Sequence, residues 1–196
     1  LDSVVSATPL VEGQALLTLN GMASGVIVRG LTKDDYLAKD ILREGNIAGD
    51  LYDFDGYSVA IGSKLAEKFS IHIGDEISLT APKGKASPFG TIPRSRKFRV
   101  SQIFDVGMFE YDSGFVFVPL DSAQKFYSMN EGNVTYLELL TKNLNDLDNT
   151  KDKVKTLLPA GVDVYDWRDA NSSFVNALKV ERNVMFLILT LIILVA

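Results

Sequence analysis

Residues 184–196 read VMFLILTLIILVA, thirteen positions without a charge at the end of a 196-residue chain. A membrane-spanning helix needs about 20 mostly apolar residues, and a run of 10–14 is more usual in a buried core helix. Here the run reaches the last residue with no cap, glycine or charged flank to close it. It is read as the start of a transmembrane helix cut off partway, with a buried C-terminal helix as the alternative. Leu1 in place of an initiator methionine also suggests a piece of a longer protein. The C-terminal position rules out a signal peptide.

Over its full length the chain has the balance of a globular domain, 46% hydrophobic and 23% charged. Its net charge of −5 disfavours a nucleic-acid binder, which is basic over a whole face. No cysteine is present, so a disulfide framework, a thiolate metal site and a cysteine nucleophile are excluded. The single histidine, His72, leaves little room for zinc or Ser-His-Asp chemistry and reads as a turn or strand-edge residue beside Gly74-Asp75. No cofactor is expected.

Alternating residues predict strands over 14–20 and 25–30, joined at the Asn20-Gly21 turn signal. Asp34-Asp35 opens a short helix. Residues 57–62 form a strand, followed by a helix in which Leu65 and Phe69 share a face. Ile71–Leu79 gives a turn at Gly74-Asp75 and an apolar/polar alternation at Ile77 and Leu79, and further strands fall at 98–104, 114–118, 134–140 and 162–165. Asp121 to Gln124 has the pattern of a capping box for a helix through Phe126 and Tyr127. Leu147, Val154, Leu157 and Leu158 lie at helical spacing before Pro159. Asp169 caps a last helix that runs unbroken into the apolar tail. This order predicts an α+β fold: a split α/β subdomain from residues 1–51 and 119–180, and an inserted small β-rich subdomain at 52–118 bearing a projecting β-hairpin arm at about 81–97. Residues 181–196 begin the transmembrane helix.

The arm is where charge and composition change. Between Glu76 and Asp105 there is no acidic residue, while Lys83, Lys85, Arg94, Arg96, Lys97 and Arg99 are all basic. Three prolines and two glycines within 81–96 rule out a buried central strand. Phe89 and Ile92 put apolar groups where a solvated loop normally carries none. A stiff arm with an apolar tip and a basic root suits docking, because pre-ordering lowers the entropy lost on binding and cations speed encounter with an acidic partner. The alternative is a long hairpin loop whose Phe89 folds back onto its own domain.

Pro88-Phe89-Gly90-Thr91-Ile92-Pro93 resembles the projecting hook of the LolC/LolE family of lipoprotein-releasing ABC transporter permeases, and its LolC-like branch in particular. Val59-Ala60-Ile61-Gly62-Ser63-Lys64-Leu65-Ala66, followed by Gly74-Asp75-Glu76-Ile77-Ser78-Leu79, is similar to a pattern shared by the extracytoplasmic core domains of that family and of its macrolide-exporter relatives. Asp166-Trp167-Arg168, leading into Val180-Glu181-Arg182-Asn183-Val184-Met185, resembles the family's approach to its second membrane helix. The resemblance implies a porter-like periplasmic domain of a bacterial inner-membrane permease. Such a permease pairs with a second permease subunit, the same or paralogous, and with cytoplasmic LolD-like ATPases. It releases lipoprotein cargo from the membrane to a soluble periplasmic chaperone of the LolA type. By the same resemblance, Pro88, Phe89, Gly90, Thr91, Ile92 and Pro93 form the gripping tip, and Arg94, Arg96 and Lys97 a polar pad at its base.

A second reading is the core domain of a macrolide-exporter-like or cell-division-type permease, coupling ATP hydrolysis to an adaptor or hydrolase partner. An enzyme is disfavoured. Asp50, Asp53, Asp55, Glu110 and Asp112 supply carboxylates, but Asp53-Phe54-Asp55-Gly56 reads as a glycine-flanked turn and lacks the later glutamate of a calcium loop. No GxxxxGK[ST] phosphate loop is present, so ATP hydrolysis is assigned to a separate subunit.

Overall fold

A computed structural model describes residues 3–87, 90–159 and 161–195, with the backbone alone described at 83–87, 90–92, 145 and 170. The elements in chain order are β1 (Val4–Leu19), β2 (Met22–Leu31), α1 (Lys33–Ala38), α2 (Asp40–Glu44), β3 (Asn46–Gly49), β4 (Ser58–Gly62), α3 (Ser63–Phe69), β5 (Glu76–Ser87), β6 (Gly90–Phe104), α4 (Phe109–Gly114), β7 (Phe115–Pro119), α5 (Leu120–Tyr127), β8 (Tyr136–Thr141), α6 (Leu147–Leu157), α7 (Trp167–Ala170) and α8 (Ser172–Val195). They form two compact units, Ser6–Leu139 on the one hand and Leu1–Val5 with Leu140–Ala196 on the other.

In the larger unit, six strands close a ring. β1 pairs antiparallel with β2 through a two-residue turn in which Asn20 and Gly21 both have positive φ (50° and 79°), the geometry that lets a hairpin keep the strands' twist. β2 runs parallel to β7, β7 antiparallel to β4, β4 parallel to β6, β6 antiparallel to β5, and β5 antiparallel to β1. The sheet therefore has no free edge around this circuit. Strands from both subdomains expected from the sequence, β1 and β2 from one and β4 to β7 from the other, share it. β3 adds to the outer side of β6 over Asn46–Gly49.

Alternation decides what each strand buries. Leu17, Val26, Val28, Val59, Ile61, Ile77, Leu79, Phe98, Val100, Val116 and Val118 form one cluster, completed by Leu65 and Phe69 of α3 and by Ala123 and Phe126 of α5. The alternate positions Leu31, Ala60 and Phe117, and Phe104 beyond the β6 register shift at Ser101, belong to a second cluster with Tyr36 of α1, Leu42 of α2 and Phe54. β4 sits between β6 and β7 with one residue set in each cluster, so all five of its residues are buried and none is charged. Gly30 lets α5 lie directly on β2, since a Cβ there would stand 2.3 Å from Ala123 Cβ.

The smaller unit is held differently. α6 buries Leu147, Thr150 and Val154 along one face. Asp166 caps α7 by accepting from the backbone N–H groups of Arg168 and Asp169, while the Asp169 carboxylate accepts from Asp166 N–H. Arg168 reaches both Asp166 (2.8 Å) and Asp148 of α6 (2.5 Å), and Lys151 of α6 pairs with Asp169. α8 then runs through the apolar tail with no buried residue. Among the described residues, no helix is long and apolar enough to cross a membrane.

Several local expectations need correction. Residues 162–165 join no strand. α5 starts after Pro119 without a side-chain cap, and Asp121 lies inside its first turn, where a carboxylate suits the helix dipole. The cap before the last helices is Asp166, three residues earlier than expected, and Asn171 interrupts α7 from α8.

Candidate partner-docking site

β5 and β6 build the basic segment as one long hairpin. From Glu76↔Arg99 to Ala81↔Arg94 the ladder is regular. It then shifts, so that 82–84 on β5 stand opposite Pro93 alone, and it resumes from Lys85↔Ile92 to Ser87↔Gly90. The irregularity falls where Pro82 and Pro93 each remove a backbone donor, and such a bulge increases local twist. β1 leaves β5 at Thr80, and beyond Ala81 and Arg94 the described ladder joins β5 and β6 to each other only. Residues 82–87 and 90–93 thus form two strands of a ribbon continuing out of the closed circuit.

Of the expected tip, Pro88 and Phe89 lie outside the described residues. Gly90, Thr91 and Ile92 are placed by their backbone on the β6 side of the ribbon, and Pro93 is exposed at the bulge.

The expected pad divides between two faces. Arg94 and Arg96 follow the parity of Phe98 and Val100, so they continue the core-facing row of β6 past the end of the core. The Arg96 guanidinium lies 4.6 Å from the centroid of the Tyr57 ring, whose edge in turn meets Phe98. Arg94 donates to the Lys125 carbonyl (3.4 Å) in the last turn of α5, the end of a helix that attracts cations. Lys97 has the opposite parity and pairs with Glu76 across the strands at 3.0 Å. Arg99 forms a bidentate pair with Asp53 (2.7 and 2.8 Å), which holds the Asp53 carboxyl below its usual range. Arg94 and Arg96 meet no carboxylate among the described residues.

Tyr57, Asp53 and the end of α5 are therefore part of this root, and nothing in the local sequence announced them. The signal for Lys97 was available in the two-residue period of the strand.

Three of the five carboxylates weighed for catalysis have structural partners. Asp50 accepts from Tyr52 N–H, Asp53 is held by Arg99, and the buried Asp112 accepts from Val106 N–H. The exposed His72 donates its backbone N–H to Asp75 at the Gly74 turn. Among the described residues no group of three or more His, Asp or Glu side chains is placed to hold a metal.

Known proteins share this fold. The chain belongs to the MacB-like periplasmic core domain family, whose pattern matches residues 1–157. It is 30% identical to the lipoprotein-releasing system transmembrane protein LolC of Neisseria meningitidis serogroup B, over 98% of this chain and 47% of that protein. With LolC of Xylella fastidiosa it shares 32% over 97% of this chain and 46% of the relative. The chain thus spans about half the length of these relatives. Among solved structures, the periplasmic region of MacB from Actinobacillus actinomycetemcomitans shares the fold with a TM-score of 0.52 at 14% identity, covering 80% of this chain and 69% of that one. The extracellular domain of the transporter YknZ from Gram-positive bacteria gives 0.51 at 16%, covering 80% and 75%.

Proposed function

We propose that this chain is the periplasmic domain of a bacterial inner-membrane ABC permease of the lipoprotein-releasing type, and that its arm docks the soluble periplasmic chaperone that takes the released lipoprotein. ATP hydrolysis then belongs to separate cytoplasmic subunits, and a second permease subunit completes the transporter. The observation that carries the reading is the ribbon of residues 82–87 and 90–93, which leaves the closed circuit at Pro82 and Pro93 with Arg94 and Arg96 at its root. Likeness to LolC over nearly the whole chain supports the choice within the family.

In this reading Pro88, Phe89, Gly90, Thr91, Ile92 and Pro93 grip the chaperone. Arg94 and Arg96 meet acidic groups on it, and Lys97, already paired with Glu76, adds little. α8 leads into the membrane. The alternative, a macrolide-exporter-like or cell-division-type domain acting on an adaptor or hydrolase, shares the fold and gives the arm no role.

Pull-down of the LolA-type chaperone by the chain is the test. Phe89→Asp with Ile92→Asp abolishes capture while the circular dichroism spectrum and melting temperature stay unchanged. Full capture by a folded double variant removes the arm from the function.

A further inference from the structure

β2 outruns its neighbour β7. The two strands pair from Ile27↔Phe115 to Leu31↔Pro119, so at residues 22–26 β2 has β1 on one side and no strand on the other among the described residues. The two-residue turn at Asn20-Gly21 makes Leu19 and Met22 a hydrogen-bonded pair, and such pairs alternate along an antiparallel ladder. Met22, Ser24 and Val26 therefore direct their backbone N–H and C=O groups to β1, while Ala23 and Gly25 direct theirs to the open edge. Both are exposed. Neither is the lysine or proline that blunts such edges elsewhere. Gly25 lacks a positive φ, and a Cβ on it would meet nothing within 4 Å, so packing does not explain it.

A concavity lies on each face of this edge. The outer one, of about 790 Å³, is lined by Gly25, Ile27, Phe115 and Glu110 and reaches Pro82 and Pro93 of the arm. Ser24 has the opposite parity, that of the buried Val26 and Val28, and belongs to a second concavity of about 620 Å³ with Lys64, Glu67, Lys68, Phe109 and Ser113. α4 forms a wall of both, through Glu110 and Gly114 in the first and Phe109 and Ser113 in the second. Glu67 is already held by Lys64 at 3.0 Å. Lys68 donates to the Ser24 hydroxyl (3.0 Å) and meets no carboxylate among the described residues.

Unpaired backbone groups at a strand edge are met best by another backbone, and the side chains of an added strand alternate between the two faces. Here one face offers apolar walls with a single carboxylate, and the other offers a lysine without an acidic partner. Apolar side chains suit the first and acidic ones the second. A slip of one residue would carry the acids onto Glu110, so the charges also fix the register.

We propose that the edge of β2 at residues 22–26 takes up, as an added strand, an extended segment of a partner protein in which apolar and acidic side chains alternate. The site is separate from the tip of the arm and does not rest on the reading given under Proposed function.

The full chain in phospholipid nanodiscs is titrated into a fluorescein-labelled peptide, Thr-Val-Glu-Val-Glu-Val-Thr, and anisotropy is read. Saturable binding is expected, with slowed amide exchange at Ala23 and Gly25; no binding, or protection elsewhere, overturns the proposal. Gly25→Pro removes a donor from the open edge and leaves the ladder to β1 intact, and Lys68→Glu reverses the unpartnered charge. Each weakens binding about tenfold, and affinity unmoved in both overturns the proposal. A third measurement leaves the protein unchanged. Of two peptides N-methylated at the valines or at the glutamates, one loses about tenfold and the other binds as before, because alternate residues of an added strand donate to β2; equal effects overturn strand addition. Self-association of the chain that the peptide displaces would assign the edge to a second copy and overturn the partner. Phe89→Asp with Ile92→Asp, which disables the arm, leaves peptide binding unchanged; binding lost there overturns the edge as the site.

Discussion

The inner and outer halves of the β5–β6 hairpin share the same two strands and obey different physics. In the inner half, Ile77, Leu79, Phe98 and Val100 are fully buried, with β1 on one side and β4 on the other. In the outer half, past Ala81 and Arg94, the strands are described as paired only to each other. An isolated two-stranded ribbon is marginal in water, so the outer half depends on the inner one for its register. The inner half is specified by what it buries. The outer half is left to be specified by what it meets.

That contrast can be broken most forcefully from the inside. Phe98→Ala removes the ring that meets both Tyr57 and Phe126 edge-on and should cost about 3–5 kcal/mol in urea unfolding; a loss below about 1 kcal/mol would mean that the root is not anchored by its core. Next comes Gly62→Ala, where a Cβ would sit 2.1 Å from the Asp112 carbonyl oxygen. Backbone must move there, at a cost of about 1–3 kcal/mol, whereas Gly25→Ala, where a Cβ would meet nothing within 4 Å, should leave the melting temperature unchanged or higher. Tyr57→Leu tests the boundary itself: losing the Arg96 stack costs about 0.5–1 kcal/mol and loosens the arm's root without unfolding the domain. Thr91→Ala in the outer half should shift stability by no more than about 0.5 kcal/mol.

The smallest effect is electrostatic. Asp53 is held below the usual carboxylate range by Arg99, so the pair stabilises the fold above the unfolded value of about 3.9. That contribution fades as pH falls through the lower folded value. Both partners are largely exposed, so the contribution to stability is slight. Following the Asp53 carboxyl by NMR should find it titrating below about 3.9 and returning there in Arg99→Ala.

Local signals proved readable and distant pairings did not. Asn20-Gly21 announced its hairpin, and the acid-free stretch with three prolines its departure from the core. Closure of the ring depends on β2 meeting β7 and β4 meeting β6, pairings between segments far apart in sequence that no local pattern encodes. The same limit hid Tyr57 beneath Arg96, 39 positions away, and Asp53 beside Arg99. Helix starts went astray for another reason: several aspartates were eligible as caps, and only the backbone geometry at Asp166 selects among them. At 162–165, alternating Val162 and Val164 suggested a strand, but a strand needs a partner and none pairs with it among the described residues.

Amide hydrogen exchange of the chain with and without the LolA-type chaperone tests the docking claim most directly. Slowed exchange confined to 85–95, with the inner halves of β5 and β6 unchanged, is the result predicted. Protection that spares this ribbon and falls on another surface would contradict it.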